Sequence, residues 1–364
     1  MKVKLEDVCE CGSSNLRQSD TAGKSGDYPI YGASGYIGNV DFYHQERPYV
    51  AVVKDGAGVG RAMLLPAKSS VIGTMQYLLP KGNVLPEYLY YAIRHMHLEK
   101  YFSGATIPHI YFRDYKTETF NLEPTNCQAE IVTVLHCAEA IISARQQQLQ
   151  KLDELVKARF VELFGDPAQN PLKWVAKPLL EMGYCKNGMN FHSGDSGIEI
   201  HCLGVGDFKD YSVIDGTDYL PTISLSEEPP EESMLQDGDI VFVRSNGNRA
   251  LVGRCLVVYP HNTPTTYSGF CIRYRLTSDE VNTAYLLRVL KADSMREKMT
   301  GRGANIQNLN QQTLATLNIP IPPMELQEQF AAFVEQTDKS KVAIQKALDK
   351  AQPLFDSLMQ EYFG

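Results

Sequence analysis

The sequence predicts an α+β protein built from two copies of one unit, in which a β-rich α/β domain precedes one long helix. Three observations predict this fold: a coiled-coil pattern in residues 124–165, a second copy of that pattern in residues 323–364, and short apolar segments between glycine-rich turns in the remaining parts. We therefore expect domains at 1–123 and 166–322, each followed by one of the two helices.

The first long helix is predicted by apolar residues that recur at alternating spacings of three and four. This is the 3.5-residue seam along which helices pair. Pro124 precedes the pattern and Gly165 follows it, as expected for the two ends of a helix. Arg145 and Arg159 interrupt the seam, whose apolar members are Leu135, Ala138, Ile142, Leu149, Leu152, Val156 and Leu163.

The second long helix repeats the first at a distance of 199 residues. The correspondence continues without a gap back to Gly104 and Gly303, over roughly sixty positions, which marks an internal repeat. Pro353 lies inside the second helix, and because proline removes one backbone donor we expect a kink or break near Gln352. The matching pairs include Pro124 and Pro323, Gln128 and Gln327, Leu149 and Leu348, and Glu162 and Glu361, and the second seam contains Phe330, Ile344, Leu348 and Phe355.

The composition is that of a globular protein of two to three domains, with 364 residues of which 43% are hydrophobic. No long apolar run predicts a transmembrane helix, and none after the N-terminal lysines predicts a secretory signal. The eight cysteines lack paired spacing, which indicates reduced thiols inside the cell. Cys9, Cys11, His95 and His97 have weak metal-ligand spacings, so we expect no metal site.

The net charge of −8 weakens a nucleic-acid interpretation, because phosphate binding needs a basic surface. The acidic excess is unevenly distributed: residues 1–123 hold 13 basic and 13 acidic side chains, whereas most of the excess lies in residues 166–322 and in the last helix. Local basic patches, rather than the total charge, therefore decide whether nucleic acid is a plausible ligand.

Gly56-Ala-Gly-Val-Gly60 follows an apolar segment at 48–53 and invites comparison with a nucleotide- or S-adenosylmethionine-binding loop. Such a loop needs a helix directly after it, and residues 61–66 are too few and too close to a proline to form one. We therefore predict a tight hairpin turn here. The sequence contains no recognisable catalytic motif, and we predict no catalytic residues in this chain.

Polar and basic residues occupy glycine-bounded loops at matching places in both copies. Arginine, asparagine and glutamine form paired hydrogen bonds with guanine and adenine edges, so these residues are candidate DNA contacts. Each one alone is more readily explained as a solvated loop residue, and only the set favours DNA contact. The candidates are Lys54, Arg61, Thr106 and His109 in the first copy, and Arg244, Asn246, Asn248, Arg249, Arg254, Arg302, Asn305 and Gln307 in the second.

Two proline–glutamine segments carry a resemblance to a known family. Pro322-Pro-Met-Glu-Leu-Gln327 resembles the entry to the spacer helices of type I restriction–modification specificity subunits, and Pro124-Thr-Asn-Cys-Gln128 is its less regular first copy. The stretches at 28–35 and 237–241 are also similar to that family. The departures from the family pattern are Cys127, Leu326 and Pro353.

The resemblance implies a DNA-reading subunit without chemistry of its own. Each β-rich domain is then a target-recognition domain for one half of a bipartite, asymmetric DNA target, and the two helices pack antiparallel, set the spacing and dock two modification subunits. The resemblance also implies that the modification subunits hold S-adenosylmethionine, and that restriction subunits with ATP and Mg are possible further partners. It implies a cytoplasmic location in a bacterium or archaeon, with no membrane association. The residues assigned to helix packing and partner docking are Gln128, Leu135, Ile142, Leu149, Leu152, Gln327, Phe330, Ile344, Leu348 and Phe355.

Two other classes of protein stay open at this point. A stand-alone DNA methyltransferase or nuclease with unrecognised motifs would bind S-adenosylmethionine or act on DNA by itself. A coiled-coil scaffold that binds only proteins would show no affinity for duplex DNA, even with partner subunits present.

Overall fold

The computed structural model describes residues 1–21, 23, 25–104, 108–191, 197–208, 212–300 and 308–364. These residues form two compact units, which we call the first and second units. Each unit contains one β-rich domain together with a part of each long helix. The first unit comprises Met1–Gln148 and Ala343–Gly364, and the second comprises Leu149–Val342.

The first unit is built from short strands and contains the beginning of the first long helix. Its strands are β1 (Lys2–Lys4), β2 (Cys9–Ser13), β3 (Tyr28–Gly32), β4 (Gly35–Val40), β5 (Tyr49–Val53), β6 (Ala62–Leu65), β7 (Ser70–Val71), β8 (Met75–Pro80) and β9 (Thr119–Asn121). Its helices are α1 (Leu5–Val8), α2 (Pro86–His95), α3 (Phe112–Tyr115) and the long helix α4 (Thr125–Phe164), with 3-10 turns at Gln18–Thr21 and Leu98–Tyr101.

The second unit has the same kind of construction and contains the beginning of the second long helix. Its strands are β10 (Ala176–Pro178), β11 (Gly183–Asn187), β12 (Ile198–Leu203), β13 (Val213–Asp215), β14 (Thr222–Leu225), β15 (Asp239–Val243), β16 (Cys255–Tyr259), β17 (Thr265–Tyr267), β18 (Cys271–Leu276) and β19 (Asn318–Pro320). Its helices are α5 (Thr283–Lys291), α6 (Asp293–Thr300), α7 (Gln311–Ala315) and the long helix α8 (Met324–Phe363).

The strand order demonstrates the internal repeat. The sheet β2-β8-β5-β6 of the first unit returns in the second as β11-β18-β15-β16, extended by β13. The sheet β4-β3-β7 returns as β14-β12-β17, and the pair β1-β9 returns as β10-β19. In both three-stranded sheets one pairing is parallel, between β3 and β7 and between β12 and β17. The predicted α+β fold with two β-rich domains in pseudo-repeat is confirmed.

Strand β5 is buried on both faces. Val50 and Val52 pack with helix α2, while the alternate residues Tyr49 and Val53 pack toward the β4-β3-β7 sheet. This division follows from the two-residue period of a strand, and a strand that is covered on both faces needs a continuous apolar sequence. The apolar run at 48–53 is therefore explained by burial of both faces of the strand, and the predicted strand is confirmed.

Within each unit, the two long helices pair antiparallel. In the first unit, Leu135 and Ile142 of α4 share a buried core with Phe355 of α8, so the beginning of one helix lies beside the end of the other. In the second unit, the rings of Phe160 near the end of α4 and Phe330 near the beginning of α8 are 5.5 Å apart. The predicted seam residues Leu149, Leu152, Ile344 and Leu348 are half-buried.

The polar residues in the seam of α8 are satisfied locally. Thr337 is buried, and its hydroxyl donates a hydrogen bond of 2.8 Å to the carbonyl of Phe333 one turn earlier. Lys341 Nζ lies 2.6 Å from Asp153 Oδ1 of α4 and 3.3 Å from Asp338 Oδ1. A buried polar group costs little when it has a partner, so these positions interrupt the apolar pattern without opening the helix pair.

A break near Gln352 is contradicted, because helix α8 continues through Pro353. The alternative expectation, a kink, stays a prediction. Proline removes one backbone donor, but the helix is anchored on both sides of it. Leu348 and Ala351 before it, and Phe355 and Met359 after it, all pack into the core of the first unit. Tertiary packing of this kind offsets the local cost of one missing hydrogen bond.

Helix α4 also contains a window that is long and apolar enough to cross a membrane, by length and composition alone. A helix that contributes to a protein core passes the same test. Ile131, Leu135 and Ile142, which supply much of the apolar character, belong to the core of the first unit. The expectation that the chain has no membrane helix therefore depends on this packing as well as on the sequence.

Gln128 joins the start of α4 to the β-rich domain of the first unit. Its side chain is fully buried. Its Oε1 accepts a hydrogen bond of 2.8 Å from the backbone N–H of Leu85, and its Nε2 donates to the carbonyls of Asn83 at 3.0 Å and Glu123 at 2.7 Å. One side chain thus satisfies three backbone groups, two of which lie in the turn that leads into α2.

Gln327 does the same at the start of α8 in the second unit. It is also fully buried, accepts from the N–H of Asn282 at 2.8 Å, and donates to the carbonyls of Glu280 at 3.0 Å and Pro322 at 2.8 Å. A fully buried side chain offers no atom to another protein. The assignment of Gln128 and Gln327 to partner docking is therefore corrected: both residues hold a long helix to its own domain.

We predict that Gln128→Ala destabilises the chain by about 3 kcal/mol, because it leaves a buried N–H and two buried carbonyls without their partner. Urea unfolding of the full chain measures this loss. The matched control is Gln146→Ala, an exposed glutamine on the same helix, for which we expect a change below about 0.5 kcal/mol. Equal, small effects at both positions would show that the buried glutamine is not an anchor.

Candidate nucleic-acid interface

The loop between β5 and β6, residues 54–61, is called loop A. Val53 N–H donates to the carbonyl of Arg61 at 3.0 Å, and Gly60 N–H donates to the carbonyl of Val53 at 2.8 Å. These bonds close a hairpin between two antiparallel strands, which confirms the predicted turn. Gly60 has a φ of 87°, and a Cβ at this position would lie 2.4 Å from the backbone nitrogen of Glu99. Glycine is therefore required at the foot of the loop.

The loop between β15 and β16, residues 244–254, is called loop B. Val243 N–H donates to the carbonyl of Arg254 at 2.9 Å, and Gly253 N–H donates to the carbonyl of Val243 at 2.9 Å. Gly253 also has a positive φ, of 76°. The same hairpin closure therefore occurs in both units, although loop B is longer and contains a 3-10 turn at Arg249–Leu251.

Two further segments hold loop A in place. The N–H of Lys54 donates to the carbonyl of Thr74 at 2.9 Å, just before strand β8. From the other side, the N–H of Ile110 donates to the carbonyl of Lys54 at 2.9 Å, and the N–H of Gly56 donates to the carbonyl of Pro108 at 2.9 Å. Loop A is thus a rigid element to which residues 108–110 are attached.

The two corresponding segments hold loop B. The N–H groups of Arg244 and Ser245 donate to the carbonyl of Phe270 at 2.8 and 3.2 Å, just before strand β18. The N–H of Leu309 donates to the carbonyl of Arg244 at 2.8 Å, and Asn308 forms a bridge with Ser245. Each unit therefore presents one hairpin loop braced by two other segments, in the same arrangement of backbone hydrogen bonds.

The candidate side chains of the first unit lie on loop A or on the segment 108–110 that is attached to it. Lys54 Nζ is 2.9 Å from Asp55 Oδ2, so part of its charge is neutralised within loop A. Arg61 is exposed and donates to the carbonyl of Ala33 in the β3–β4 turn. His109 lies beside Tyr111, with the ring centroids 5.0 Å apart. The structure therefore brings together all three of the candidates that it describes in this unit.

The candidates of loop B divide into two groups. The side-chain oxygens of Asn246 and Asn248 accept backbone hydrogen bonds within the loop, from the N–H groups of Asn248 at 2.7 Å and Ala250 at 3.0 Å. These asparagines therefore shape the loop. Arg249 is exposed on it, whereas Arg244 is half-buried and donates to the carbonyl of Gly269 at 3.2 Å.

Arg254 does not lie on the exposed part of loop B. Arg254 is half-buried at the foot of loop B and lines a cavity that is described below. Thr106, Arg302, Asn305 and Gln307 lie outside the residues that the structure describes. For these four, the assignment as DNA contacts stays a prediction.

Exposed aromatic side chains lie beside both loops, and the sequence did not predict them as candidate DNA contacts. Next to loop A lie Phe102 and Tyr111, with 60% and 46% of their surface exposed, and next to loop B lies Phe270, with 62% exposed. Arg113 packs over the Tyr111 ring at 4.6 Å from its centroid. Exposed aromatic rings near basic side chains are typical of surfaces that contact nucleic-acid bases. An aromatic residue next to a turn glycine, as in Gly269-Phe270, was the available signal.

The weak metal motif does not assemble. Among the described residues, no group of three histidine, cysteine, aspartate or glutamate side chains is arranged to hold a metal ion. Burial raises the pKa of the Cys9 thiol to about 12, and the thiolate is the form that binds metals. The Cys9 thiol instead lies 3.3 Å from the carbonyl of Leu5.

Comparisons with known proteins agree with this architecture. The sequence profile of the family described as "Type I restriction modification DNA specificity domain" matches residues 1–154 and 210–351. The crystal structure of a type I restriction–modification system S subunit from M. genitalium aligns over 100% of this chain and 96% of its own length, with a TM-score of 0.63 and 16% identity. At 16% identity, the similarity between the two proteins shows a shared fold and nothing more.

Two curated relatives have related sequences. The type I restriction enzyme StySPI specificity subunit of Salmonella potsdam is 29% identical over 180 residues, which cover 48% of this chain and 38% of that subunit. The MjaVIII specificity subunit of Methanocaldococcus jannaschii is 21% identical over 338 residues, which cover 84% of this chain and 77% of that subunit. The family profile covers well over half of the sequence, and the chain therefore belongs to the family of type I restriction–modification DNA specificity proteins.

Proposed function

We propose that this chain is the DNA specificity subunit of a type I restriction–modification complex. The observation that carries the proposal is the braced hairpin loop that occurs in both units with the same backbone hydrogen bonds. A rigid backbone with exposed arginine and aromatic side chains is suited to reading base edges, because little conformational entropy is lost on binding. Family membership supports the same function.

Each unit reads one half of a bipartite target. The two loops share a backbone arrangement but differ in their side chains: Lys54 of loop A corresponds in place to Arg244 of loop B, and the longer loop B also carries Asn246, Asn248 and Arg249. Different side chains on equivalent backbones present different hydrogen-bonding patterns to DNA. The target is therefore asymmetric, with a different sequence in each half.

The chain carries no chemistry of its own in this proposal. Two modification subunits, which hold S-adenosylmethionine and methylate adenine, dock on the long helices, and restriction subunits with ATP and Mg join them. A second apolar stripe on α4 supports docking: Val134, Ile141 and Leu155 are exposed, and their spacings are multiples of seven residues, so they share one face of a paired helix. Relatives in bacteria and archaea support a cytoplasmic location.

Exchange of the exposed arginines tests the assignment of half-sites. We expect Arg249→Ala to relax recognition of one half-site and Arg61→Ala to relax the other, each costing about 1–3 kcal/mol for the cognate base. Binding should be measured with the modification subunits present, because the net charge of −8 gives the chain alone little attraction for phosphates.

The matched control is Lys339→Ala, an exposed lysine on α8 that pairs with Glu335. We expect this variant to leave both half-sites unchanged. If Arg61→Ala and Arg249→Ala weaken binding to every DNA sequence by the same factor, the two arginines contact phosphates and do not read bases.

A paired deletion tests whether the helices set the spacing between half-sites. Lys341 of α8 pairs with Asp153 of α4. An antiparallel pairing in that register predicts residues 339–345 as the counterpart of residues 149–155, so removing both heptads should keep the seam in phase. The deletion shortens the pair by about 10 Å, roughly three base pairs of rise. It also rotates one reading loop about the duplex by about three-tenths of a turn.

We expect the deletion variant to methylate sites with a shortened spacer and unchanged half-site sequences, or to lose methylation altogether. Sequencing of methylated positions in host DNA measures this. Methylation at the original spacing would show that the helices serve only as a docking surface. Binding of S-adenosylmethionine by the purified chain would contradict the proposed absence of its own chemistry.

A further inference from the structure

A cavity of about 470 Å³ lies in the second unit, beside the foot of loop B. It is bounded by the last turns of α4, by α5 and by the start of α6. Two carboxylates, Asp166 and Asp293, lie on its wall, but cations outnumber them. The cationic side chains that line it are Lys157, Arg254, Arg288, Lys291 and Arg296.

The cations on α5 are held there without a carboxylate partner. In the described part of the chain, no acidic side chain lies within ion-pair distance of Arg288 or Lys291. Lys291 Nζ donates to the hydroxyl of Ser212 at 2.7 Å. Burial lowers the pKa of both cations, and the Arg288 charge lowers that of Lys291 further. Cations that are partly removed from water beside each other favour an anion between them.

In the first unit, the cation at the equivalent position is neutralised by an ion pair. Arg94 on α2 forms an ion pair with Glu139 on α4, and the hydroxyl of Tyr91 donates to the same carboxylate at 2.5 Å. At the equivalent positions the second unit has Lys291 for Arg94 and Arg288 for Tyr91. At these two positions the second unit therefore carries one more cation than the first.

The carboxylate that could neutralise these cations is engaged elsewhere. Asp338 stands where Glu139 stands in the first unit, and it lies 3.3 Å from Lys341. Asp153, the other acid whose charge acts on Arg288, lies 2.6 Å from the same lysine. The second unit thus has a cationic cavity where the first has a closed ion pair.

Two further donors at the cavity lack acceptors. The hydroxyl of Ser294 and Nε of Arg296 are buried, and neither has a hydrogen-bond partner among the described residues. Nη2 of Arg296 donates to the carbonyl of Ala250 at 3.0 Å, which fixes the guanidinium against loop B. Both residues lie in the first turns of helix α6, whose N-terminal N–H groups also favour an anion.

We propose that this cavity binds a phosphate group, and that the second unit alone has this site. A phosphate supplies several acceptor oxygens. These can accept from the Ser294 hydroxyl and Arg296 Nε, and their charge can neutralise Arg288 and Lys291. Its source is either a free phosphate compound or, if the proposed function holds, a backbone phosphate of the DNA that loop B contacts. Arg254 belongs both to the foot of loop B and to the cavity wall, which places the two sites side by side.

Thermal unfolding of the full chain tests phosphate binding without DNA. The probe is inorganic phosphate, titrated against sodium chloride at equal ionic strength. For the unaltered chain we expect a saturable rise in Tm of about 2–4 °C. The double variant Arg288→Met/Lys291→Met should have a higher Tm without phosphate, since it removes neighbouring buried charges, and should show no rise with phosphate.

Two variants serve as controls. Lys291→Arg keeps the charge and should keep the phosphate response. Arg94→Met breaks the ion pair of the first unit, so it should lower Tm yet leave the response intact. An equal response in the unaltered chain and the double variant, or no saturable response in the unaltered chain, would overturn the proposal.

Duplex DNA binding in the presence of modification subunits distinguishes the two sources. If the phosphate belongs to DNA, the double variant should reduce the slope of log K against log salt by about 1. An unchanged slope together with a lost phosphate response assigns the site to a free phosphate compound. Because the phosphate titration contains no DNA, failure of the DNA-reading function would leave its result unaffected.

Discussion

The buried glutamine at the start of each long helix is the constraint on which the arrangement of each unit depends. Gln128 and Gln327 each form three hydrogen bonds with the backbone: two join the first turn of a long helix to the turn before the short helix of the adjoining domain, and one goes to the segment just before the long helix. A glutamine side chain supplies one acceptor and two donors, which matches the one N–H and two carbonyls at this junction. No apolar or shorter polar side chain could satisfy all three groups.

This junction gives the long helices their relation to the hairpin loops. The helix start is bonded to the turn before α2 or α5, these short helices cover the central sheets, and the sheets carry loops A and B. Each loop is thus connected to a long helix through packed or hydrogen-bonded elements. If the helices set a distance between reading sites, rigid junctions of this kind are needed, since a mobile domain would blur any fixed spacing.

The repeat keeps backbone hydrogen bonds and changes side chains. The bonds from loop A to residues 74 and 110 have counterparts from loop B to residues 270 and 309. On these equivalent backbones the exposed side chains differ, and so does the charge behind them, where an ion pair of the first unit becomes a cationic cavity in the second. Backbone geometry tolerates little change, whereas surface side chains can vary at small cost in stability. The same fold can therefore present two different surfaces.

The sequence by itself determined the elements and their repetition. The α4 and α8 helices run at Thr125–Phe164 and Met324–Phe363, within a residue of the segments read from their seams, and the apolar run at 48–53 is strand β5. Periodicity and terminal signals are local, so they are visible in one stretch of chain. The candidate arginines beside the glycine turns were visible for the same reason.

Contacts between distant residues were decided only by the tertiary structure. Pro353 does not break α8, because Phe355 and Met359 are buried against residues of α4 that lie some two hundred positions earlier. The glutamines proved to be anchors rather than docking residues, because two of the three partners of each lie more than forty positions away. The partial burial of Arg288 and Lys291, with no carboxylate of the described residues within ion-pair distance, and the exposure of Phe270 beside loop B likewise depend on which segments meet in space. No local pattern records such meetings, since packing joins residues without regard to their distance along the chain.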